Sequence, residues 1–190
     1  MDVEASHSAQ SERGPQVRCS YPVRARLRDG TEILIRPITP EDAGREQDFV
    51  RSLSPDSRYF RFLNTVRELS PDMLYRFTHP DPQRELALIA LTGEGAAARQ
   101  IGVARLAREQ ASASAEFAVV VADDWHCRGV GTRLLCELMR AARSAGLERI
   151  WGDILATNHR MLALMASLGF EIEPSPDDPL LRRAVKTIRD

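Results

Sequence analysis

Short apolar runs near the start of this chain, and again from Leu86 onward, have the length of β-strands and are separated by polar turns. Val23–Leu27 and Glu32–Ile35 are two such runs, and Asp29-Gly30 between them predicts a hairpin turn. Each later run is also short enough for a strand. The pattern predicts eight strands in all, with the later six at Leu86–Leu91, Ile101–Ala107, Phe117–Val121, Arg149–Leu155, Phe170–Glu173 and Leu181–Ile188.

Three helices are predicted between the hairpin and the later strands. Thr39, Ser54 and Ser70 are each followed by a proline and then by an acidic residue. A hydroxyl residue at the cap, proline in the first turn and an acid near the N-terminus are typical of helix starts. The first of these helices is expected to run to about Leu53.

Two further helices are predicted in the second half of the chain. Gly129–Ala145 has apolar residues along one side, and Asn158 caps a shorter helix that ends at Gly169. The order is two strands, three helices, an antiparallel meander, and then alternating strands and helices. This order predicts an α/β fold with a mixed, mostly antiparallel central sheet flanked by helices.

Composition and charge narrow the function classes. The chain has 190 residues and a formal net charge of −1, which gives no support to binding of nucleic acid or a membrane surface. Residues 1–18 are polar and are expected to form a disordered tail before a single domain over 19–190. The three cysteines lack metal-ligand spacing, so we expect no metal site. We expect the cysteines to be free thiols and the protein to be cytoplasmic.

The junction after the strand Phe117–Val121 carries the clearest candidate chemistry. A polar turn leads into Arg128-Gly129-Val130-Gly131, and a helix starts at once. The first backbone N–H groups of a helix have no partners within it, and the helix dipole places positive charge there. Gly129 and Gly131 let an anion approach the backbone closely. The junction is therefore predicted to bind a pyrophosphate.

This junction resembles the acyl-CoA-binding motif of the GNAT acetyltransferase superfamily, Gln/Arg-x-x-Gly-x-Gly/Ala. The motif falls on residues 126–131: both glycines match, and His126 replaces the usual Gln or Arg. Segments 29–43, 52–63, 115–125 and 158–170 further resemble the acetyltransferase domain of Pat-type protein lysine acetyltransferases. The resemblance covers roughly residues 20–188 and implies the GNAT fold and acetyl-CoA as co-substrate.

The resemblance implies a role for Glu116 as general base. A free lysine has a pKa of roughly 10.4, so a base must take its proton as the nitrogen attacks the thioester. The glutamate of the Ala-Glu-Phe-Ala-like segment has this role in Pat-like enzymes, and it corresponds to Glu116. From spacing alone, Glu116 is equally compatible with an exposed glutamate at the end of a strand.

The resemblance also implies the residues that bind acetyl-CoA. Backbone groups of Val119, Val121 and Ala122 are expected to contact the pantetheine arm. Asn158 is expected to cap its helix, with a contact to CoA as a second role. The pyrophosphate is expected to contact the cradle, which we define as His126, Arg128, Gly129, Val130, Gly131, Thr132 and Arg133. The two arginines are also compatible with a solvated helix face.

Two features leave the chemistry open. Many GNAT enzymes have a tyrosine seven residues after the late asparagine, which protonates the leaving thiolate, and Met165 occupies that position here. Aromatic residues and arginines fill the helical segment that often shapes the acceptor site. These residues can form a basic, aromatic surface that binds an acidic patch of a protein. Alternatively, the aromatic residues lie in the core and the arginines are solvated. The arginines are Arg51, Arg58, Arg61, Arg67 and Arg76.

The sequence therefore predicts an acetyl-CoA-dependent N-acetyltransferase acting on a primary amine. A protein lysine is the expected acceptor, with an acyl-CoA synthetase as the candidate target. A small-molecule amine acceptor and a non-catalytic acyl-CoA sensor remain alternatives. An unrelated phosphate-binding domain is disfavoured because the late helix and the upstream segments match together.

Overall fold

The computed structural model describes residues 20–110 and 112–188. The predicted tail over residues 1–18 lies outside the described residues, as does Cys19, and the boundary of the domain remains a prediction. Within the described part, eight strands form one sheet and five helices flank it. The predicted α/β class and the GNAT-like order of elements are confirmed.

The strands closely follow the predicted apolar runs. They join in the order β1-β2-β3-β4-β5-β6-β8-β7, so the last strand lies between β6 and β7. The bounds are β1 Val23–Arg26, β2 Glu32–Pro37, β3 Glu85–Thr92, β4 Arg99–Arg108, β5 Ser114–Val121, β6 Arg149–Leu155, β7 Glu171–Pro174 and β8 Leu181–Thr187.

The five helices begin after the predicted capping residues or glycine. Ser54 and Ser70 accept hydrogen bonds from backbone N–H groups of their helices, and so does Asn158. The bounds are α1 Ala43–Ser52, α2 Pro55–Phe62, α3 Pro71–Thr78, α4 Val130–Ser144 and α5 His159–Ser167.

Two elements differ from the prediction. The first helix opens as a 3-10 turn, Pro40–Asp42, because Asp42 turns back to accept the Thr39 N–H and pairs with arginines on both sides. Strand β5 begins three residues before Phe117. Its small residues Ser114 and Ala115 are buried between β4 and β6, a tertiary effect without an apolar signal of its own.

Each face of the sheet is covered by its own hydrophobic core. On one face α4 and α5 bury Leu134, Leu138 and Met165, and on the other α1 buries Phe49 and Val50. These layers hold the sheet between two sets of helices. None of the described helices is long and apolar enough to cross a membrane.

Candidate active site

The two central strands of the sheet separate at the candidate base. Strands β5 and β6 run parallel and pair at three positions, the last of which joins Glu116 to Trp151. Beyond this pair, β5 continues against β4 alone as far as Val121. A gap between the two strands therefore opens immediately after Glu116.

The backbone of β5 faces this gap at alternate residues. Val119 and Val121 lie opposite Ala104 and Gly102, and the next N–H along, that of Ala122, donates to Ile101 O at 2.9 Å. Because backbone groups alternate sides along an antiparallel pair, those of Val119 and Val121 point away from β4. These two predicted residues are thus oriented toward the gap.

A cleft of about 820 Å³ follows the gap from the base to the cradle. Glu116 and the glycines Gly129 and Gly131 all line it. The five steps along β5 from Glu116 to Val121 span about 17 Å of extended chain. The cleft is therefore long enough to separate the reacting group at one end from a bound anion at the other.

The loop that enters α4 has the backbone geometry of an anion site. Cys127 and Gly129 both have positive φ angles, 59° and 94°. Alternation of left-handed and ordinary residues turns successive N–H groups toward one side of a loop. The first helical hydrogen bond runs from Arg133 N to Gly129 O, and no side chain caps the helix. The N–H groups of Val130–Thr132 therefore remain for an anion.

The two cradle glycines are needed for different reasons. Gly129 has a left-handed φ that suits a residue without a side chain. Gly131 has an ordinary φ, but a Cβ there would lie 3.2 Å from Leu164 Cδ2 and 3.6 Å from Val121 Cγ2. The first glycine therefore permits the turn, and the second lets α4 lie close to α5 and the end of β5.

The side chains of both cradle arginines are held by the β1–β2 hairpin. Arg128 Nε donates to Asp29 Oδ2 at 2.8 Å, and its guanidinium lies 4.0 Å from the ring centre of Trp125. Hydrogen bonds from the Thr31 backbone and Arg128 lower the pKa of Asp29 to about 2. Arg133 reaches toward Arg26 O at 3.4 Å. Neither arginine lines the cleft, so the expected pairing with a phosphate requires these contacts to be exchanged.

His126 braces the turn below the cleft. Its Nε2 lies 2.9 Å from Val121 O, and Arg160 contacts its Nδ1. Since Val121 O can only accept, His126 Nε2 donates the hydrogen bond to it. A bracing role agrees with the prediction that His126 is a cradle or structural residue.

Ala122 requires a correction. Its N–H donates to Ile101 O, and its carbonyl accepts the Trp125 N–H at 2.9 Å. Both backbone groups are therefore engaged within the protein, and the residue does not line the cleft. β5 ends at Val121, as predicted, and the turn begins at Ala122, so Val121 is the last residue of the strand whose backbone faces the gap.

Helix α5 places Asn158 in the cleft and Met165 in the core. Asn158 lines the cleft, and its Oδ1 accepts the Met161 N–H at 3.1 Å, so the predicted cap is confirmed. Met165 is fully buried in the core beneath α5. The position of the usual tyrosine acid is therefore both apolar and turned away from the described cleft.

Glu116 lies among charged groups in the cleft. Partial desolvation by the cleft walls, and then the negative charge of Asp153, raise the pKa of Glu116 above its usual range, while its side chain keeps contact with solvent. The positive charges of Arg61 and Arg183 partly oppose this rise. A carboxylate with a raised pKa is a better proton acceptor, so this environment suits a general base.

Asp153 is the site residue that the sequence analysis missed. It lines the cleft from β6, and its two carboxylate oxygens accept hydrogen bonds from Arg183 at 3.0 and 2.7 Å. A carboxylate within the apolar run of β6 was an available signal. Its significance depends on the pairing of β6 with β5, which a sequence pattern does not specify.

Together, the splayed sheet, the cradle at a helix N-terminus and the carboxylate beside the gap define a CoA-dependent N-acyltransferase. The family model described as Acetyltransferase (GNAT) domain matches residues 32–171. The chain belongs to the GNAT acetyltransferase family.

Two curated relatives support this assignment. Acetyltransferase PA5475 of Pseudomonas aeruginosa is 37% identical over 152 residues, which cover 80% of this chain and 82% of the relative. Acetyltransferase Pat of Mycolicibacterium smegmatis is 30% identical over 149 residues. That match covers 78% of this chain but 44% of the relative, so the chain spans less than half of that protein.

Solved structures show the same fold. The GNAT domain of S. lividans PAT superposes with a TM-score of 0.80 at 29% identity, covering 87% of this chain and 96% of that one. An acetyltransferase of Salmonella typhimurium solved with its cofactor acetyl-CoA, yncA, has a TM-score of 0.65 at 17% identity, covering 83% and 95%. Family membership thus assigns acetyl-CoA as the co-substrate.

Proposed function

We propose that this protein acetylates a lysine of a protein substrate, with Glu116 as the general base. The observation that carries the proposal is the position of Glu116 at the last β5–β6 pair, in the cleft that also contains the glycine cradle. A base at the opening of the gap can reach an amine that enters from the open end. The donor then occupies the rest of the cleft.

The cradle, strand β5 and Glu116 have separate roles in the proposed reaction. The cradle N–H groups hold the pyrophosphate, and Val119 and Val121 guide the pantetheine through backbone groups. The carboxylate of Glu116 takes a proton from the ammonium of lysine, directly or through water. The neutral nitrogen then attacks the thioester carbon, a C–N bond forms, the C–S bond to CoA breaks, and the remaining extra proton on the nitrogen passes through water to the departing thiolate.

A backbone donor is available for the charge that develops on the carbonyl oxygen. The N–H of Val119 faces the gap closest to Glu116, and we assign it as this donor. Met165, at the position of the usual tyrosine acid, is buried and lies outside the cleft. The CoA thiolate therefore leaves without a side-chain acid there and takes its proton from water.

Similarity to the Pat proteins supports a protein lysine as acceptor. The M. smegmatis relative and the S. lividans domain both carry that designation, and the latter covers nearly the whole fold. Phe60 and Leu63 of the α2 region provide apolar wall in the cleft that Glu116 lines. Apolar surface of this kind suits the aliphatic stem of lysine. An acyl-CoA synthetase is the candidate substrate protein.

The test is the intact mass of a purified acyl-CoA synthetase after incubation with this protein and acetyl-CoA. We expect one added acetyl group with the wild type and almost none with Glu116→Gln. Glu148→Gln is the matched control, because Glu148 is exposed and lies outside the cleft. Absence of acetylation by a wild type that binds acetyl-CoA, as measured by calorimetry, would overturn the synthetase as acceptor. Turnover on free polyamines or amino acids would then identify a small-amine enzyme.

A further inference from the structure

Arg61 is a charged side chain in the cleft whose hydrogen-bond donors have no protein acceptor among the described residues. It lines the cleft from α2, and its guanidinium lies 5.2 Å from the ring centre of Phe62 and 5.8 Å from that of Phe77. Other arginines nearby behave differently. Arg51 donates to Glu68, and Arg105 donates to Glu46.

The surroundings of Arg61 make an unpaired cation costly. Burial, and next the positive charge of Arg105, lower the pKa of Arg61 to about 10, while Glu46 and Glu116 act in the opposite sense. A guanidinium has five N–H donors in a planar fork that matches a carboxylate. Arg61 is half-buried, and its donors remain available within the cleft, so they can form charge-assisted hydrogen bonds with an anion that enters it.

Acetyl-CoA does not supply that anion. Its phosphates belong to the cradle, which β5 separates from Glu116 by about 17 Å. Its thioester end carries no charge. A ligand anion that reaches Arg61 therefore arrives with the acceptor and not with acetyl-CoA.

We propose that Arg61 is a specificity-determining residue that binds a carboxylate located beside the reacting amine of the acceptor. This proposal rests on the proposed function, and the acceptor is then a lysine with an acidic neighbour in its protein. The carboxylates of Glu116 and Asp153 face the ammonium of such a substrate, and Arg61 faces its carboxylate. The two charges of the acceptor are thus matched by opposite charges of the cleft.

The experiment compares two lysine peptides that differ only in Asp or Asn next to the lysine. For the wild type, kcat/KM is expected to be about ten- to a hundredfold higher on the Asp peptide, the range for a charge-assisted hydrogen bond. Arg61→Gln is expected to remove this preference, and Arg61→Lys to keep part of it. The ratio between the two peptides cancels any effect of Arg61 on the pKa of Glu116, since both peptides share the same base.

Arg67→Gln is the control for net charge, because Arg67 is exposed and lies outside the cleft. It is expected to keep the wild-type preference. Equal rates of the wild type on both peptides would overturn the proposal, whether or not Arg61→Gln folds. An equal loss of preference in Arg67→Gln would also overturn it, because general surface charge would then explain the effect.

Two outcomes separate this proposal from its alternatives. If neither peptide is acetylated while free amino acids are, the protein lysine is not the acceptor. The Arg61 proposal, which rests on that acceptor, is then overturned together with it. If Arg61→Gln instead changes the preference between succinyl-CoA and acetyl-CoA, equally on both peptides, Arg61 binds the acyl group and the proposal is overturned.

Discussion

Asp123 accepts both the backbone N–H and the hydroxyl of Ser54, at 2.8 and 2.7 Å, across 69 positions of the sequence. The hydroxyl of Ser57 donates to the same carboxylate at 2.7 Å. Asp123 follows β5 directly, and the two serines form the N-terminus of α2. One carboxylate therefore ties the strand that binds the donor to the helix that carries Arg61.

We expect Asp123→Asn to lower the free energy of unfolding by about 1–2 kcal/mol. This loss is smaller than that for a buried charged hydrogen bond, because Asp123 is exposed and solvent screens its charge. These hydrogen bonds lower the pKa of Asp123. Their contribution is therefore complete above the unfolded pKa and is lost as pH falls through the folded pKa. Urea unfolding at pH 7 and at pH 3 measures the difference. Asp124→Asn, which removes an exposed pair with Arg99, should cost less than about 0.5 kcal/mol.

We expect Glu116→Gln to lower kcat by about 10²- to 10⁴-fold, the range for a lost general base. Because the pKa of Glu116 is raised in the fold, its ionised form is disfavoured there, and the variant should be as stable as the wild type at pH 7 or slightly more stable. Release of CoA thiol and thermal unfolding measure the two effects. A large loss of stability would show that Glu116 supports the fold and would contradict its assignment as the base.

We expect the acid limb of the pH profile to move when Asp153 is neutralised. The wild type should lose kcat/KM as pH falls through the raised pKa of Glu116, because the base must be ionised. The negative charge of Asp153 contributes to that rise, so Asp153→Asn should lower the pKa of Glu116 and move the limb to lower pH. An unchanged limb would mean that the group titrating is not Glu116.

We expect Gly129→Ala to raise the KM for acetyl-CoA about three- to tenfold and to lower stability by about 1–2 kcal/mol, the cost of a left-handed φ for a residue with Cβ. Gly146→Ala is the matched control. Gly146 also has a positive φ, 68°, with open space for a Cβ, but it follows α4 at the end far from the cleft. It should lose similar stability and leave the KM unchanged. An equal rise of KM in both variants would assign the effect to α4 as a whole.

We expect Met165→Tyr not to restore an acid for the thiolate. Met165 is fully buried, so a tyrosine would overpack the core and bury a hydroxyl, at a cost of about 2–4 kcal/mol. Denaturant unfolding and the rate of thiol release measure both consequences. A stable variant with a higher kcat would show that this position reaches the cleft after all.

Local sequence patterns determined the elements of this protein. The capping residues at Ser54, Ser70 and Asn158 and the hairpin at Asp29-Gly30 act within a few residues, so they could be identified without the fold. The cradle was predictable for the same reason. Its glycines, the preceding strand and the following helix are contiguous in the chain.

Tertiary structure decided which residues share the cleft. Asp153 meets Glu116 because β6 pairs with β5, and Arg128 is held by Asp29 across 99 positions. The packing of α2 against β5 sets the place of Arg61, and the pairing of β5 with β4 engages the N–H of Ala122 with Ile101 O. Side-chain charge and backbone hydrogen bonding act through space at a few ångströms, and only the folded sheet brings these distant segments that close. The sequence by itself therefore determined the elements and the glycine loop that enters α4, and the fold decided the electrostatics of Glu116 and which side chains line the cleft.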